Sequence, residues 1–355
     1  MTRVLTGLSG GVDSAVTASL LKKQGYDVIG VTMAIWGNKK ATSHKSTHGA
    51  CLGPDEKEDI KSAEKIAKHL DIPYYVIDCS KEYDDIVLKY FKDEYLAGRT
   101  PNPCIRCNSL IKFGVLPLVA REKGIEFDKF ATGHYAKVIE KNGIYYLTRA
   151  NDKSKDQSYF LYRLTQEQLK NILMPLGDYT KSEVRELAKS FCLEVSDKPD
   201  SQDFYEGDYN ELLEVSEKEG NIVNLDGKIL GKHKGFWNYT VGQRKGLGIS
   251  STEPLYVIKL DKDTNTVVVG NIDNTFKKSL IASQINYPTG IKIKDGTYLA
   301  KIRSNQKPQE CRVEVREDRI IVEFNEFQKS AAQGQSVVIY DDETVAAGGV
   351  IEEVK

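Results

Sequence analysis

With 355 residues, 40% hydrophobic and 28% charged, the chain has enough apolar surface to build two or three domain cores. It shows no charged segment leading into a short apolar leader and no uninterrupted apolar run of bilayer length, so the expectation is a soluble cytoplasmic protein with no membrane partner. A net charge of −1 neither demands nor excludes nucleic acid, so any RNA contact has to come from local basic patches.

Through the first part of the chain, apolar β-branched runs alternate with helical patterns. RVLTGL, DVIGVTMAI and IPYYVID read as strands; DSAVTASLLKKQG, EDIKSAEKIAKHL and EYDDIVLKYFKDEYLA read as helices. This alternation predicts an α/β domain with a parallel sheet and crossover helices. A polar loop from Gly37 to Gly53 interrupts it. A helical stretch from Leu110 to Lys123, a strand KFATGHYA and an amphipathic helix KSEVRELAKSF follow. Beyond about Asp200, LYVIKLDKDTNTVVVG, CRVEVREDRIIVEF and QSVVIYDDETVAAGGVIEEV alternate polar with apolar residues between Asp, Asn and Gly turns. They predict antiparallel strands in a C-terminal barrel or sandwich. Expected domain limits are residues 1–200, 201–272 and 273–355.

Ser9-Gly10-Gly11-Val12-Asp13-Ser14 lies between the first strand and the first helix. There its backbone N–H groups can converge on an anion at the positive end of the helix. The stretch lacks both the Gly-Lys-Ser/Thr ending of a Walker loop and the spacing of a dinucleotide fold. It resembles the PP-loop of ATP pyrophosphatases, the adenine-nucleotide α-hydrolase-like group that adenylates an oxygen and releases pyrophosphate. A plain glycine turn with a Ser/Asp cap is the alternative.

Longer segments narrow the reading: Gly98-Arg-Thr-Pro-Asn-Pro-Cys-Ile-Arg-Cys-Asn108, Ala131-Thr-Gly-His-Tyr-Ala136, Lys155-Asp-Gln-Ser-Tyr-Phe-Leu161, Lys198-Pro-Asp-Ser-Gln-Asp203 and Tyr239-Thr-Val-Gly-Gln-Arg-Lys-Gly-Leu-Gly248. In this order they closely resemble the tRNA-specific 2-thiouridylases of the MnmA/TrmU type. The resemblance covers nearly the whole chain. It implies a PP-loop catalytic domain, a small central domain and a C-terminal antiparallel β-barrel. It also implies ATP-dependent sulfur insertion at C2 of the wobble uridine, position 34, in tRNAs for Lys, Glu and Gln. The chemistry is consistent from below: a uridine carbonyl oxygen leaves poorly, whereas the same oxygen carried as an adenylate leaves as AMP.

The resemblance assigns ATP contacts to Gly7, Leu8, Ser9, Gly10, Gly11, Val12, Asp13, Ser14, Met33 and Gly133. Asp13 either helps to position Mg²⁺ or orders the loop, and Met33 is equally readable as a core methionine. The tRNA contacts it implies fall on His134, Lys155, Asp156, Gln157, Arg244, Lys245, Arg303, Ser304 and Gln335. Blander readings are a structural hydrogen bond for His134, a solvated loop for residues 155–157, and solvated surface for the last five.

The sequence departs from the common family pattern at sulfur. Cys107 matches the nucleophile, while Cys104 stands where that pattern has an aspartate. Tyr205 stands where a persulfide cysteine is expected. With Cys51 as a third thiol, Cys104 and Cys107 could hold a [4Fe–4S] cluster. Zn²⁺ with His44 or His48, or no metal at all, are the alternatives, and Cys192 is the fallback third ligand. Cys79, Cys192 and Cys311 otherwise read as small buried side chains, Cys192 on an apolar helix face. The sulfur donor is either sulfide or a persulfide carrier protein. Competing functions are a PP-loop ligase or amidotransferase acting on a small molecule, and a catalytically silent RNA-binding or metal-sensing homologue.

Overall fold

The computed structural model describes residues 1–37, 52, 56–195, 204, 205 and 208–355. Strand β1 (Arg3–Gly7) runs into helix α1 (Val12–Lys23), followed by β2 (Asp27–Ala34), α2 (Glu56–His69) and β3 (Tyr74–Asp78). A helix over residues 80–96, α3, and a longer one, α4 (Pro103–Glu122), lead to β4 (Lys129–Ala131). A hairpin of β5 (Ala136–Lys141) and β6 (Ile144–Arg149) precedes β7 (Ile172–Leu173) and helix α5 (Lys181–Ser190). Strands β3, β2, β1, β4 and β7 form a five-stranded sheet in that order, every neighbour parallel. Val4 and Leu5 are wholly buried because helices cover both faces, which is why β1 reads as a continuous apolar run.

The chain leaves β1 toward β2 on one side and returns to β4 on the other. The switch in strand order therefore falls between β1 and β4, where open α/β sheets leave a crevice beyond their carboxyl ends. KFATGHYA is not one strand. Three residues pair, and Thr132 to Tyr135 leave the sheet before β5 begins, placing Gly133 and His134 at that crevice.

Strands Gly220–Val223, Ile229–His233, Tyr256–Asp261 and Thr266–Gly270 form a separate four-stranded sheet. Its core of Ile222, Val257, Val267, Val269 and Trp237 also takes in Phe91 and Tyr95 from α3. The last six strands, from Phe276–Asn286 to Thr344–Val354, are antiparallel, and the pairing of first with last closes them into a barrel. Closure removes the exposed edges that a sandwich would keep. The barrel also accepts β6 at Thr148–Thr344, and Val338, Tyr340 and Val345 complete the apolar core around Leu147 and Tyr159.

Among the described residues, α4 has the length and hydropathy of a membrane span, and half of that window is buried within the fold. It is a core helix: Ile105, Ile111, Phe113 and Leu116 pack in the same cluster as Leu5 and Ile77 of the sheet.

Candidate active site

The glycine loop occupies the switch point. The Leu8 N–H donates to Val31 O at 2.8 Å, and Thr32 Oγ1 donates to Leu8 O at 2.6 Å, which fixes the residue leaving β1. Gly10 adopts a φ of +74°, and a Cβ there would sit 2.5 Å from Asp59 O of α2, so only glycine fits. The Ser9 N–H donates to Ser14 Oγ at 3.1 Å, and Ser14 Oγ donates to Gly11 O at 3.0 Å, closing the loop on itself. Gly11 caps α1 without a side-chain hydrogen bond, which suits the positive end of that helix to an anion. Gly7 lies in the sheet below, and Met33 is half-buried near the end of β2.

Asp13 sits in the first turn of α1, where the helix field favours a carboxylate. Lys181 Nζ donates to both of its oxygens, at 2.7 and 2.9 Å, and Tyr135 Oη donates to Oδ1 at 2.9 Å. Lys181 opens α5 behind a Thr180–Glu183 capping box and is nearly buried. The Thr-Lys-Ser-Glu pattern marks a helix start, but nothing in it announces a partner 168 residues earlier. Tyr135 is held in turn by Gln157, whose Oε1 accepts the Tyr135 N–H at 2.9 Å and whose N–H donates to Tyr135 O at 2.8 Å.

Gly133 packs directly on this loop. A Cβ there would lie 2.9 Å from Asp13 C and 3.0 Å from Ser14 N, both backbone atoms that cannot swing aside. Gly133→Ala is expected to push the loop off α1, cost about 1–3 kcal/mol of stability and weaken ATP binding, checked by urea melts and nucleotide titration.

His134 Nδ1 and Thr132 Oγ1 are hydrogen-bonded at 2.8 Å, and the ring lies 5.6 Å from that of Phe113. Burial, assisted by the Lys112 cation, lowers its pKa to about 3, so it is neutral at working pH. The unfolded chain protonates this imidazole below about pH 6.5 while the folded one does not, so stability falls as pH drops from there toward 3. His134→Gln is expected to flatten that part of the stability–pH curve, measured by denaturant melts from pH 7 to 4.

Cys104 and Cys107 sit one helical turn apart at the start of α4, Cys107 buried and Cys104 half-buried. Asn102 caps that helix, accepting the Ile105 N–H at 3.4 Å, and Pro103 sets its first turn. From Cys107 to Val115 the helix widens to π geometry, with the Leu116 N–H reaching back five residues to Ile111 O. Such widened stretches concentrate at functional sites. Cys107 shares its apolar cluster with Cys79 and Tyr205. Burial, then the Glu82 and Asp78 carboxylates, pushes the Cys79 thiol up to about 12, which makes it a packing residue at working pH.

Cys51, His44 and His48 lie outside the described residues, and among the described residues no three His, Cys, Asp or Glu side chains assemble a metal site. Cys192 departs from expectation. It follows α5 in a left-handed conformation, exposed, and that ten-residue helix places it about 15 Å from the end that touches Asp13. Cys311 is buried in the barrel, as its strand pattern implied.

The expected RNA contacts divide by exposure. Arg244 and Lys245 are exposed on the glycine-rich turn. Arg303 is half-buried, donating to Ser330 O at 3.1 Å, and borders an open cleft of about 540 Å³ with Gln243, Gln306 and Lys329. Ser304 and Lys155 are half-buried. Asp156 is buried, with Oδ2 accepting from Ser158 Oγ at 3.0 Å and lying 3.4 Å from Arg149 Nε and 3.9 Å from Lys301 Nζ. Gln335, expected on the surface, is buried in the barrel–helix contact. Sequence alone gave no sign of Lys301 beside Asp156, or of Thr100 and Pro101 beside Gln335, each more than a hundred residues from its partner.

A parallel sheet in this order, with a glycine loop after its central strand and a glycine from β4 packed on that loop, defines an α/β nucleotide-using protein of the PP-loop class. Family models match in three consecutive blocks: a tRNA methyl transferase HUP domain over residues 2–205, a tRNA methyl transferase PRC-barrel domain over 212–271 and an aminomethyltransferase β-barrel domain over 277–351. A tRNA-specific 2-thiouridylase MnmA of Endomicrobium trichonymphae is 50% identical over 355 residues, covering 98% of each chain. Another, from Clostridium perfringens, is 44% identical over 361 residues, covering 99% of each. Among solved structures, a 4-thiouridine synthetase–RNA complex with bound ATP overlaps 60% of this chain and 49% of that one at 18% identity and a TM-score of 0.35. The chain belongs to the tRNA-specific 2-thiouridylase family of enzymes.

Proposed function

We propose that this protein uses ATP to adenylate the C2 oxygen of uridine 34 in tRNAs for Lys, Glu and Gln and then replaces that oxygen with sulfur. The uridine oxygen bonds to the α-phosphorus and pyrophosphate leaves. Sulfur then bonds to C2 and the C–O bond breaks, releasing AMP with the former carbonyl oxygen. The exchange is redox-neutral. The observation that carries this reading is the meeting, at one crevice, of the Ser9–Ser14 loop with Gly133, in a family whose members are named for tRNA thiolation.

In this reading the Ser9, Gly10, Gly11 and Ser14 cradle receives the phosphates, with Gly7, Leu8 and Val12 shaping it and Met33 against the adenine. Asp13 orders the loop, since its carboxylate already accepts from Lys181 and Tyr135, and Mg²⁺ travels with the phosphates. The target base leaves its stack to enter beside His134, with Lys155 near the entry. Arg244 and Lys245 track phosphates. Alanine at both should lower the slope of log Kd against log salt by about 1–2.

Cys104 and Cys107 act as a sulfur-handling pair, completed by Cys51. Their spacing on one helix fits adjacent ligands, and Leu52, next to Cys51 in sequence, is buried in the same cluster as Cys107 and donates its N–H to Phe204 O at 3.1 Å. A [4Fe–4S] cluster on three thiolates would leave one iron open to hydrosulfide. Tyr205, buried in the core, supports a route without a second persulfide cysteine.

Anaerobic purification with iron, zinc and sulfide analysis, followed by single-turnover thiolation of unmodified tRNA, tests the proposal. Expected are iron and sulfide, tRNA-dependent pyrophosphate release and 2-thiouridine from inorganic sulfide. Stoichiometric zinc lost with His44 or His48 would replace the cluster. Turnover without tRNA would mean a small-molecule ligase, and no turnover a silent homologue.

A further inference from the structure

Residues 98–101 have no regular structure of their own, so their backbone groups must find partners elsewhere. Gly98 and Arg99 turn back to the end of α3, their N–H groups donating to Tyr95 O at 3.0 Å and Glu94 O at 2.9 Å, whereas Thr100 and Pro101 find their partners on the C-terminal barrel. The Thr100 N–H donates to Gln333 O at 2.8 Å, and Gln335 Nε2 donates to both Thr100 O and Pro101 O at 3.1 Å. Thr100 and Gln335 are both buried. Gly334, at φ +86°, brings the barrel backbone so close that a Cβ would lie 3.0 Å from Thr100 O.

One residue earlier, Arg99 donates to Glu94 at 2.7 Å and to Glu352 of the barrel at 2.6 Å. The other oxygen of Glu352 accepts from Ser283 at 2.7 Å. Past the first turn of α4, Arg106, between the two cysteines, reaches Gln284 Oε1 of the barrel at 3.4 Å while its guanidinium stacks 4.1 Å from the Tyr90 ring centre. The barrel therefore grips the chain immediately before Asn102 and again between Cys104 and Cys107. With Asn102 and Pro103 fixing the helix entry, a shift at Pro101 moves both thiols as one body.

We infer that the barrel is the positioning element for the thiol helix, and that Gln335 and Glu352 are positioning residues for sulfur transfer. This rests on the sulfur-handling role proposed for Cys107. A glutamine whose amide is committed to two loop carbonyls sets the helix rather than reading RNA.

The test uses Gln335→Leu and, as a second variant that keeps shape and an acceptor, Glu352→Gln. In tRNA-free protein, the rate of Cys107 alkylation by N-ethylmaleimide, read by peptide mass spectrometry, is expected to change several-fold in both. Thiolation kcat should fall about 10- to 100-fold with tRNA Kd unchanged. Wild-type alkylation and kcat with weakened tRNA binding would overturn the inference and make Gln335 an RNA contact. If Gln335→Leu does not fold, Glu352→Gln alone decides. A Cys107→Ser control that still thiolates would instead overturn the underlying sulfur reading, whatever the alkylation rates.

Discussion

Serine in place of Cys107 is expected to lower 2-thiouridine formation at least about a thousand-fold while tRNA-dependent pyrophosphate release persists. A serine hydroxyl ionises far above working pH and is a poor ligand for soft metals, so it replaces a thiolate neither as nucleophile nor as ligand. The ATP loop belongs to β1 and α1, which the substitution leaves alone. Cys104→Ser should behave alike and lose iron with activity, because the two thiols share one helical turn. Cys192→Ser should keep both, as its side chain is exposed at the far end of α5. Nucleoside mass spectrometry of the tRNA and metal analysis on the same samples read the outcome. Iron lost from the Cys192 variant alone would move a ligand to that helix.

Lys181→Met is expected to cut pyrophosphate release about 100-fold. The methionine leaves the Asp13 carboxylate beside the phosphate cradle without its bidentate cation, so two anions face each other across a partly enclosed site. Tyr135→Phe removes one hydrogen bond from an uncharged donor to the same carboxylate, a loss of about 1.5 kcal/mol and so roughly ten-fold. The ordering of the two effects is the informative result. Equal losses would mean that the contact works by shape and not by charge. Initial rates against ATP concentration, with kcat and KM separated, measure it.

The glycine loop was legible in the sequence because its determinants are local: a strand, two glycines and a helix start within fourteen residues. The barrel strands were legible for the same reason, their period-two pattern surviving in Cys311–Val313 and Val322–Phe324. Lys181 and Gln335 were not readable in these roles, since each acts on a segment more than 150 residues away and carries no local mark of its partner. Cys192 misled for a related reason. The apolar periodicity of α5 runs through Leu187 and Ala188, but the helix ends at Ser190, and the next turns of pattern do not describe a face. KFATGHYA reads as one strand because Phe130, Thr132 and Tyr135 are residue types that favour extended backbone. The close approach of Gly133 to Asp13 decides otherwise, and that contact exists only in three dimensions.

The β5–β6 hairpin has a consequence for the order in which the protein can be made. Arg149 at the end of β6 pairs with Glu343, 194 residues further along the chain, and Thr148 pairs with Thr344. During synthesis the nucleotide half therefore emerges with an open strand edge and with Leu147 and Tyr159 uncovered until Val338, Tyr340 and Val345 arrive. Neither half can reach its final state alone, so the two are expected to unfold in one transition. A fragment ending at residue 205 should be aggregation-prone even though it contains the whole ATP loop. Any lesion in the closing strand of the barrel would be felt first as a loss of soluble protein, and only afterwards as a loss of chemistry.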